Sequence, residues 1–189
     1  MKSLSIGCVA ALALAATGVA AQETYGLDSR HTHPSFEVTH FGMSAQRGMF
    51  NKVTGKATID FAAKKGSVDV TIDMAAVLMG EPKLADHLRS EDFFDVAKFP
   101  TATFKSSSFR FDGDRLVGVD GDLTLKGVTR PVSLAVGNFS CAPNPMNKKP
   151  MCGGNASGTF KRSDFGVSKF IPAVSDEVKL TIPVEAFKE

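Results

Sequence analysis

Residues 86–105 read Asp-His-Leu-Arg-Ser-Glu-Asp-Phe-Phe-Asp-Val-Ala-Lys-Phe-Pro-Thr-Ala-Thr-Phe-Lys. The stretch leaves a short helical pattern, passes through the pair Phe93-Phe94 between acids, is stopped by Pro100 and ends in the alternation of a strand. The segments on either side of it read as β. A single helical and aromatic insertion between runs of antiparallel strands is the pattern of a flap at the mouth of a barrel.

Toward the N-terminus, Gly80-Glu81-Pro82 opens the helix, since proline suits a first helical position, and Leu84 and Leu88 fall one turn apart before the pattern ends near Ser90. Two leucines cannot hold so short a helix in water, so its apolar face is expected to dock on the sheet. Ahead of it Val68, Val70, Ile72 and Met74 alternate with Asp69, Thr71 and Asp73, the cleanest amphipathic strand in the chain. Lys64-Lys65-Gly66 reads as a hairpin turn. The run from Gly48 to Phe61 reads as the partner strand, with Gly55, Ala57, Ile59 and Phe61 on one side. From Tyr25 to Phe41 one strand is expected, with Phe36, Val38 and His40 on one face and Ser35, Glu37 and Thr39 on the other.

Toward the C-terminus, strands are expected over 101–105, 107–111 and 116–125, with a turn at Asp112-Gly113-Asp114 and with Gly118 and Gly121 marking a bulge or corner. A turn at Gly127-Val128 leads to a strand over 131–139, and further strands follow over 156–161, 166–168 and 178–187, where Pro183 implies an edge or a bulge. The result is all-β: roughly eight strands, short turns, one short helix, no repeat and no linker, hence a closed antiparallel barrel in preference to a sandwich. Eight strands leave an interior that side chains just fill or that holds one small ligand. A ten-residue strand is about 33 Å long, and barrel tilt brings the height to about 25 Å.

The same stretch carries a resemblance. His87-Leu88-Arg89-Ser90-Glu91-Asp92-Phe93-Phe94-Asp95, with Lys98-Phe99-Pro100 and Thr103-Phe104, is similar to the signature block of the YceI-like proteins, a bacterial family of periplasmic lipid and polyisoprenoid binders. Gly121-Asp122-Leu123-Thr124-Leu125-Lys126-Gly127-Val128-Thr129-Arg130-Pro131-Val132 and Arg162-Ser163-Asp164-Phe165-Gly166-Val167, followed by Ser175-Asp176-Glu177-Val178, agree with it. So do Tyr25-x-Leu27-Asp28-x-x-His31 and Phe36-x-Val38-x-His40. The resemblance implies an elongated, lipocalin-like eight-stranded barrel that binds a polyisoprenoid such as a quinone tail or prenyl phosphate.

Met1-Lys2, the apolar run through Leu4, Ile6, Val9, Leu12, Leu14 and Val19, and Val19-Ala20-Ala21 before Gln22 make residues 1–21 a cleaved secretory signal peptide, too short to span a membrane. The expected domain, residues 22–189, then lies in the periplasm and carries 21 Lys and Arg against 20 Asp and Glu. So even a balance gives no electrostatic case for nucleic acid or an anionic surface, and no other segment reads as transmembrane. Cys141 and Cys152 bracket a proline-rich stretch and are expected to form one disulfide closing that loop, with about 3 kcal/mol of loop-entropy stabilisation. Fifteen Phe, one Tyr and no Trp suit either a dry barrel core or a cavity for a hydrocarbon ligand.

The histidines, His31, His33, His40 and His87, make the case for a metal or an enzyme. His31-x-His33 sends two imidazoles to one side of a strand, but no third ligand stands at recognisable spacing, so no metal is expected. His40 follows Phe36 and Val38 on an apolar face and is expected inside, either satisfied by a neighbour or bonded to a ligand's polar head. Asp86, Arg89, Glu91, Asp92 and Asp95 read as a solvated face and cap network, and Arg162 with Asp164 as a structural pair. No phosphate loop or nucleophile elbow is present, and no catalytic residue or cofactor is assigned. Alternation and resemblance together give an expected lining of Phe36, Val38, His40, Phe50, Val70, Ile72 and Leu123, with Leu88, Phe93 and Phe94 as a lid. The expected role is non-catalytic binding, for transport or storage, of a long apolar ligand: a polyisoprenoid, quinone or fatty-acyl lipid. A homodimer is compatible with it. The other readings are a stress-related structural protein whose barrel is filled by its own phenylalanines and, further off, a His-based metal-dependent enzyme.

Overall fold

The computed structural model describes residues 22–189; the expected signal peptide, residues 1–21, lies outside the described residues. The strands are β1 (Glu23–Leu27), β2 (Ser35–His40), β3 (Ser44–Phe50), β4 (Val53–Asp60), β5 (Lys65–Asp73), β6 (Val77–Met79), β7 (Thr101–Asp112), β8 (Arg115–Leu125), β9 (Val128–Pro143), β10 (Pro150–Lys161) and β11 (Glu177–Lys188). The helix α1 (Pro82–Arg89) lies between β6 and β7. Every pairing is antiparallel, and β1 pairs with both β4 and β11, so that β1, β4, β5, β7, β8, β9, β10 and β11 close into an eight-stranded barrel.

The remaining short strands continue three of these eight. β2 pairs with β3 as β1 pairs with β4, and β3 pairs with β6 as β4 pairs with β5. Each couple is one long strand bent at an irregular joint, which is why the expected single strands over 25–41 and 48–61 each come in two pieces. The joint between β1 and β2 is an Asx turn: Asp28 Oδ1 accepts from Arg30 N at 3.0 Å, and Pro34 has no N–H to offer a ladder. Across the other two joints the pairing holds, since Asn51 N donates to Ala76 O at 3.3 Å and Asp73 N to Lys52 O at 3.0 Å. His31 and His33 fall in the first joint and not on a strand. The β4–β5 turn occupies residues 61–64, so Gly66 lies within β5 and Phe61 leaves the inward face for a half-exposed turn.

The expected strands over 101–105 and 107–111 are one strand, β7, with a bulge. Lys105 faces Asp122 but Ser108 faces Asp120, so Ser106 and Ser107 together oppose Gly121. A β-carbon on Gly121 would lie 2.5 Å from Lys105 O, so glycine permits a bulge that sits on the partner strand. Buried Ser106 closes it, its hydroxyl accepting from Ser108 N at 3.0 Å and donating to Asp120 O at 2.5 Å. The next turn is Lys126-Gly127, with Val128 already in β9. Residues 166–168 form no strand: Gly166, at φ 73°, ends a 3₁₀ turn over Arg162–Phe165. Cys141 and Cys152 are bonded, and they face each other across β9 and β10, so the disulfide staples strands whose hairpin tip is residues 144–149.

α1 runs as expected, with Pro82 in its first turn and the Glu81 carboxylate accepting from Lys83 N. Arg89 is not part of a solvated face. Its Nε donates to Ala75 O and its Nη2 to Val77 O, both at 2.8 Å, which satisfies carbonyls on the side of β6 that no strand pairs, and Nη1 reaches Asp86 at 2.8 Å.

Arg89→Ala is expected to cost about 2 kcal/mol in urea unfolding, because two carbonyls lose charged donors, and Arg89→Lys should recover less than half of it. Hydrogen bonding from Arg30, with a further bond from His31, holds the buried Asp28 carboxyl well below the usual carboxylate range. A depressed carboxylate stabilises the fold above its unfolded pKa of about 4 and ceases to do so as pH falls through the lower folded value. Asp28→Asn should therefore lower Tm at neutral pH, and its gap from wild type, followed by thermal melts against pH, should shrink below about pH 4.

Candidate ligand-binding cavity

All eight barrel strands turn alternate side chains inward, and the space they enclose is not filled. A cavity of about 690 Å³ runs within the barrel, and its walls are almost wholly apolar. Its blind end is closed around Tyr25, Leu27, Phe139, Cys152 and Ala186. Tyr25 is buried there and donates its hydroxyl to Glu23 at 2.5 Å; desolvation, then that bond, push its pKa up to about 12, so it stays a neutral phenol.

The side chains singled out by alternation all reach this wall. Phe36, Val38 and His40 do so from β2, Phe50 from β3, Val70 and Ile72 from β5, and Leu123 from β8. At the other end Leu88 of α1 and the following Phe93 and Phe94 close over the opening. The rings of Phe36, Phe50 and Phe94 follow one another at centroid distances of 5.9 and 6.0 Å, linking wall to lid. Phe93 stands edge-on to His87 at 5.0 Å and near Phe170 at 6.1 Å.

Sequence reasoning missed much of the wall. Val178, Leu180 and Ile182 of β11, whose alternation is plain, line the cavity, as do Phe104 of β7 and Phe160 of β10. Phe170 was missed because the segment carrying it belongs to no regular element. Arg162 is the larger correction. Asp164 is not its partner; the guanidinium, 5% exposed, donates to Ser175 O, Val167 O and Val174 O at 2.8 to 2.9 Å and so holds the connection to β11 against the cavity. Desolvation holds it below the usual arginine range, with the charge of Asp176 opposing. Desolvation also raises the Asp176 carboxyl, but hydrogen bonds from Ser163 and the charges of Arg162 and Lys161 outweigh it and keep it low.

Few polar groups face the cavity, and most are spoken for. Thr32 bonds both backbone groups of Glu185, Ser35 bonds His33 O, and His87 lies 3.4 Å from Asp92. The ring of His40 makes no hydrogen bond among the described residues and packs at a tilt of 50° against Phe41, centroids 4.2 Å apart, with its backbone bridged to Val174 near the mouth. Outside the cavity, Asp28, His31 and Glu185 bring potential metal ligands within 4.8 Å of one another. Arg30 already occupies both Asp28 oxygens, at 3.1 and 3.2 Å, so a cation there would compete with a guanidinium. His33 takes no part in that group; its Nε2 lies 2.9 Å from Arg30 O, and its buried Nδ1 has no partner.

The barrel has counterparts among solved proteins. It superposes on BcnA of Burkholderia cenocepacia with a TM-score of 0.71 and 28% identity, covering 84% of this chain and 98% of that one. The YCEI protein of Campylobacter jejuni gives 0.68 and 29%, over 80% and 90%. A polyisoprenoid binding domain from Saccharophagus degradans gives 0.64 at 18% identity, over 87% and 98%, a likeness of fold. In sequence the chain is 36% identical to Protein YceI of Escherichia coli O157:H7, with both chains covered in full. Residues 25–186 match the model of the YceI-like domain. The apolar barrel, its aromatic lid and these matches together make this chain a member of the YceI-like family.

Proposed function

We propose that the protein binds, without chemistry, one long apolar ligand of the isoprenoid, quinone or fatty-acyl type, and that it does so in the periplasm after residues 1–21 have directed its export and been removed. The observation that carries this reading is the continuous apolar cavity, which a barrel filled by its own phenylalanines would lack. The Saccharophagus degradans domain, described as polyisoprenoid-binding, has the same barrel.

The driving force is hydrocarbon burial. About ten buried methylenes contribute roughly 8 kcal/mol at ~0.8 kcal/mol each, which only matches the cost of immobilising a ligand, so shorter tails are not retained. Among the described residues the one Asp, Glu, Lys or Arg side chain on the cavity wall is Arg162, and its donors are taken by three backbone carbonyls, which leaves little to hold a small polar substrate in place. His40, with its ring unbonded near the mouth, is placed to hydrogen-bond a hydroxyl, carbonyl or phosphate oxygen on the ligand's head. Transport and storage use the same cavity and differ only in what meets its mouth.

Non-denaturing mass spectrometry of the protein from the cells that make it, followed by solvent extraction, should show a stoichiometric long-chain lipid. Ile72→Trp fills the middle of the cavity and should cut uptake of added prenyl lipid at least tenfold in a protein that remains folded by circular dichroism. A bare wild type that takes up no prenyl lipid, or a folded Ile72→Trp that takes it up normally, would count against the cavity.

A further inference from the structure

The mouth end of the barrel is ringed by large apolar side chains left in solvent. Phe41 and Met43, in the β2–β3 turn, are 62% and 88% exposed; Phe170 and Ile171, in the connection before β11, are 48% and 37% exposed; Leu84 of α1 is 43% exposed. The three segments meet. Phe41 N donates to Ala173 O at 2.6 Å, and the Phe170 ring stands 5.9 Å from that of His87 on α1. Phe41, Leu84 and Phe170 also line the cavity, so the exposed apolar surface runs without a break into the interior.

The backbone makes the choice of residue harder to explain by folding. Phe41 and Phe170 have φ of 52° and 63°, in the left-handed region that favours glycine and asparagine. At either position asparagine would relieve the backbone and remove apolar surface from water, so stability alone does not account for two phenylalanines. The charges nearby are paired: Asp92 lies between His87 and Lys169, Asp86 pairs with Arg89, and Glu37 lies between Arg47 and Lys179. A surface apolar at its centre, with paired charges at its rim, fits an uncharged phase better than a charged partner.

We propose that this end of the barrel, through Phe41, Met43, Leu84, Phe170 and Ile171, inserts into the surface of a zwitterionic phospholipid bilayer and sets the cavity mouth against the acyl chains. The inference rests on the reading of the cavity as a hydrocarbon site, because the ligand would then pass between bilayer and barrel without crossing water. Insertion of neutral side chains depends on buried area and not on counterions, so it should be insensitive to salt.

Flotation with phosphatidylcholine vesicles tests it. Wild type should float with the vesicles equally at low and high salt. Met43→Ser combined with Ile171→Ser, neither of which lines the cavity, should bind vesicles at least tenfold more weakly while taking up geranylgeraniol from detergent micelles as wild type does. Phe41→Asn combined with Phe170→Asn should also lose vesicle binding but melt at or above the wild-type temperature, which separates lost insertion from lost folding. Wild type that stays off the vesicles, or variants that float as well as it does, overturns the proposal. So does a vesicle-free wild-type dimer that these variants turn into monomers, which would assign the patch to a second copy. Vesicle binding without geranylgeraniol uptake would support the docking and overturn the cavity reading instead.

Discussion

The barrel depends on one strand serving two partners along a single edge. β11 pairs with β2 over Lys179–Thr181 and with β1 over Ala186–Lys188, and between these lies the joint in which the first strand leaves the ladder. Unpaired groups of β11 at that gap would be buried against the cavity wall, where each costs about 1–3 kcal/mol. The sequence meets this with three residues. Buried Thr32 accepts from Glu185 N at 3.1 Å and donates to Glu185 O at 3.2 Å, and Asp28 N reaches the same carbonyl at 2.8 Å. Since Glu185 directs its backbone to that side, so does Pro183 two residues earlier, and the N–H that proline lacks is one the gap would have left unbonded. Pro183 therefore sits inside a continuous strand without costing a ladder bond, because it faces the gap where the neighbouring strand leaves the ladder.

The lid is built on the same logic of satisfied carbonyls. The third bent strand and the connection into β11 leave backbone carbonyls outside the ladders at one end of the barrel, and two arginines collect them. Arg89 takes Ala75 O and Val77 O beside α1, while Arg162 takes three carbonyls in the connection leading into β11. A guanidinium suits this because its donors diverge in one plane and reach several carbonyls at once. Both ends of the lid are thus fixed to the barrel by guanidinium hydrogen bonds, and between them Phe94 meets Phe50 of the wall while Phe93 and Phe170 meet each other and the His87 ring, with Lys169 Nζ 5.5 Å from the Phe170 centroid. Motion of the rings costs few hydrogen bonds.

What the sequence made legible followed from period two. Phe36, Val38 and His40, or Val70 and Ile72, keep their phase because bends and bulges fall outside those runs. Where a strand ends the reading fails: Phe61 was grouped with Gly55, Ala57 and Ile59 by extending the alternation one residue past the end of β4, into the turn. The bulge at Ser106–Ser107 was signalled by Gly121, yet the glycine marks where room is made and the extra residue lies across from it. The arginines were misread for another reason. Their partners are backbone carbonyls, all but Val167 O 12 to 14 residues away, a relation with no signature in side-chain type, so Asp164 and the acids near Phe93 looked like the obvious partners.

The cavity itself is a consequence of closure. A core of packed helices relaxes around a void, but a ring of continuous antiparallel ladders keeps its radius, since shrinking it would break hydrogen bonds along every strand. The void therefore persists, and its size decides what it implies. Left empty, a space of this volume would deny packing partners to side chains along the whole wall. Water entering at the mouth reduces that loss but finds almost no groups to bond along the Phe- and Val-lined wall. A hydrocarbon chain restores the missing contacts and releases that water, so by mass action a bound lipid stabilises the barrel that encloses it.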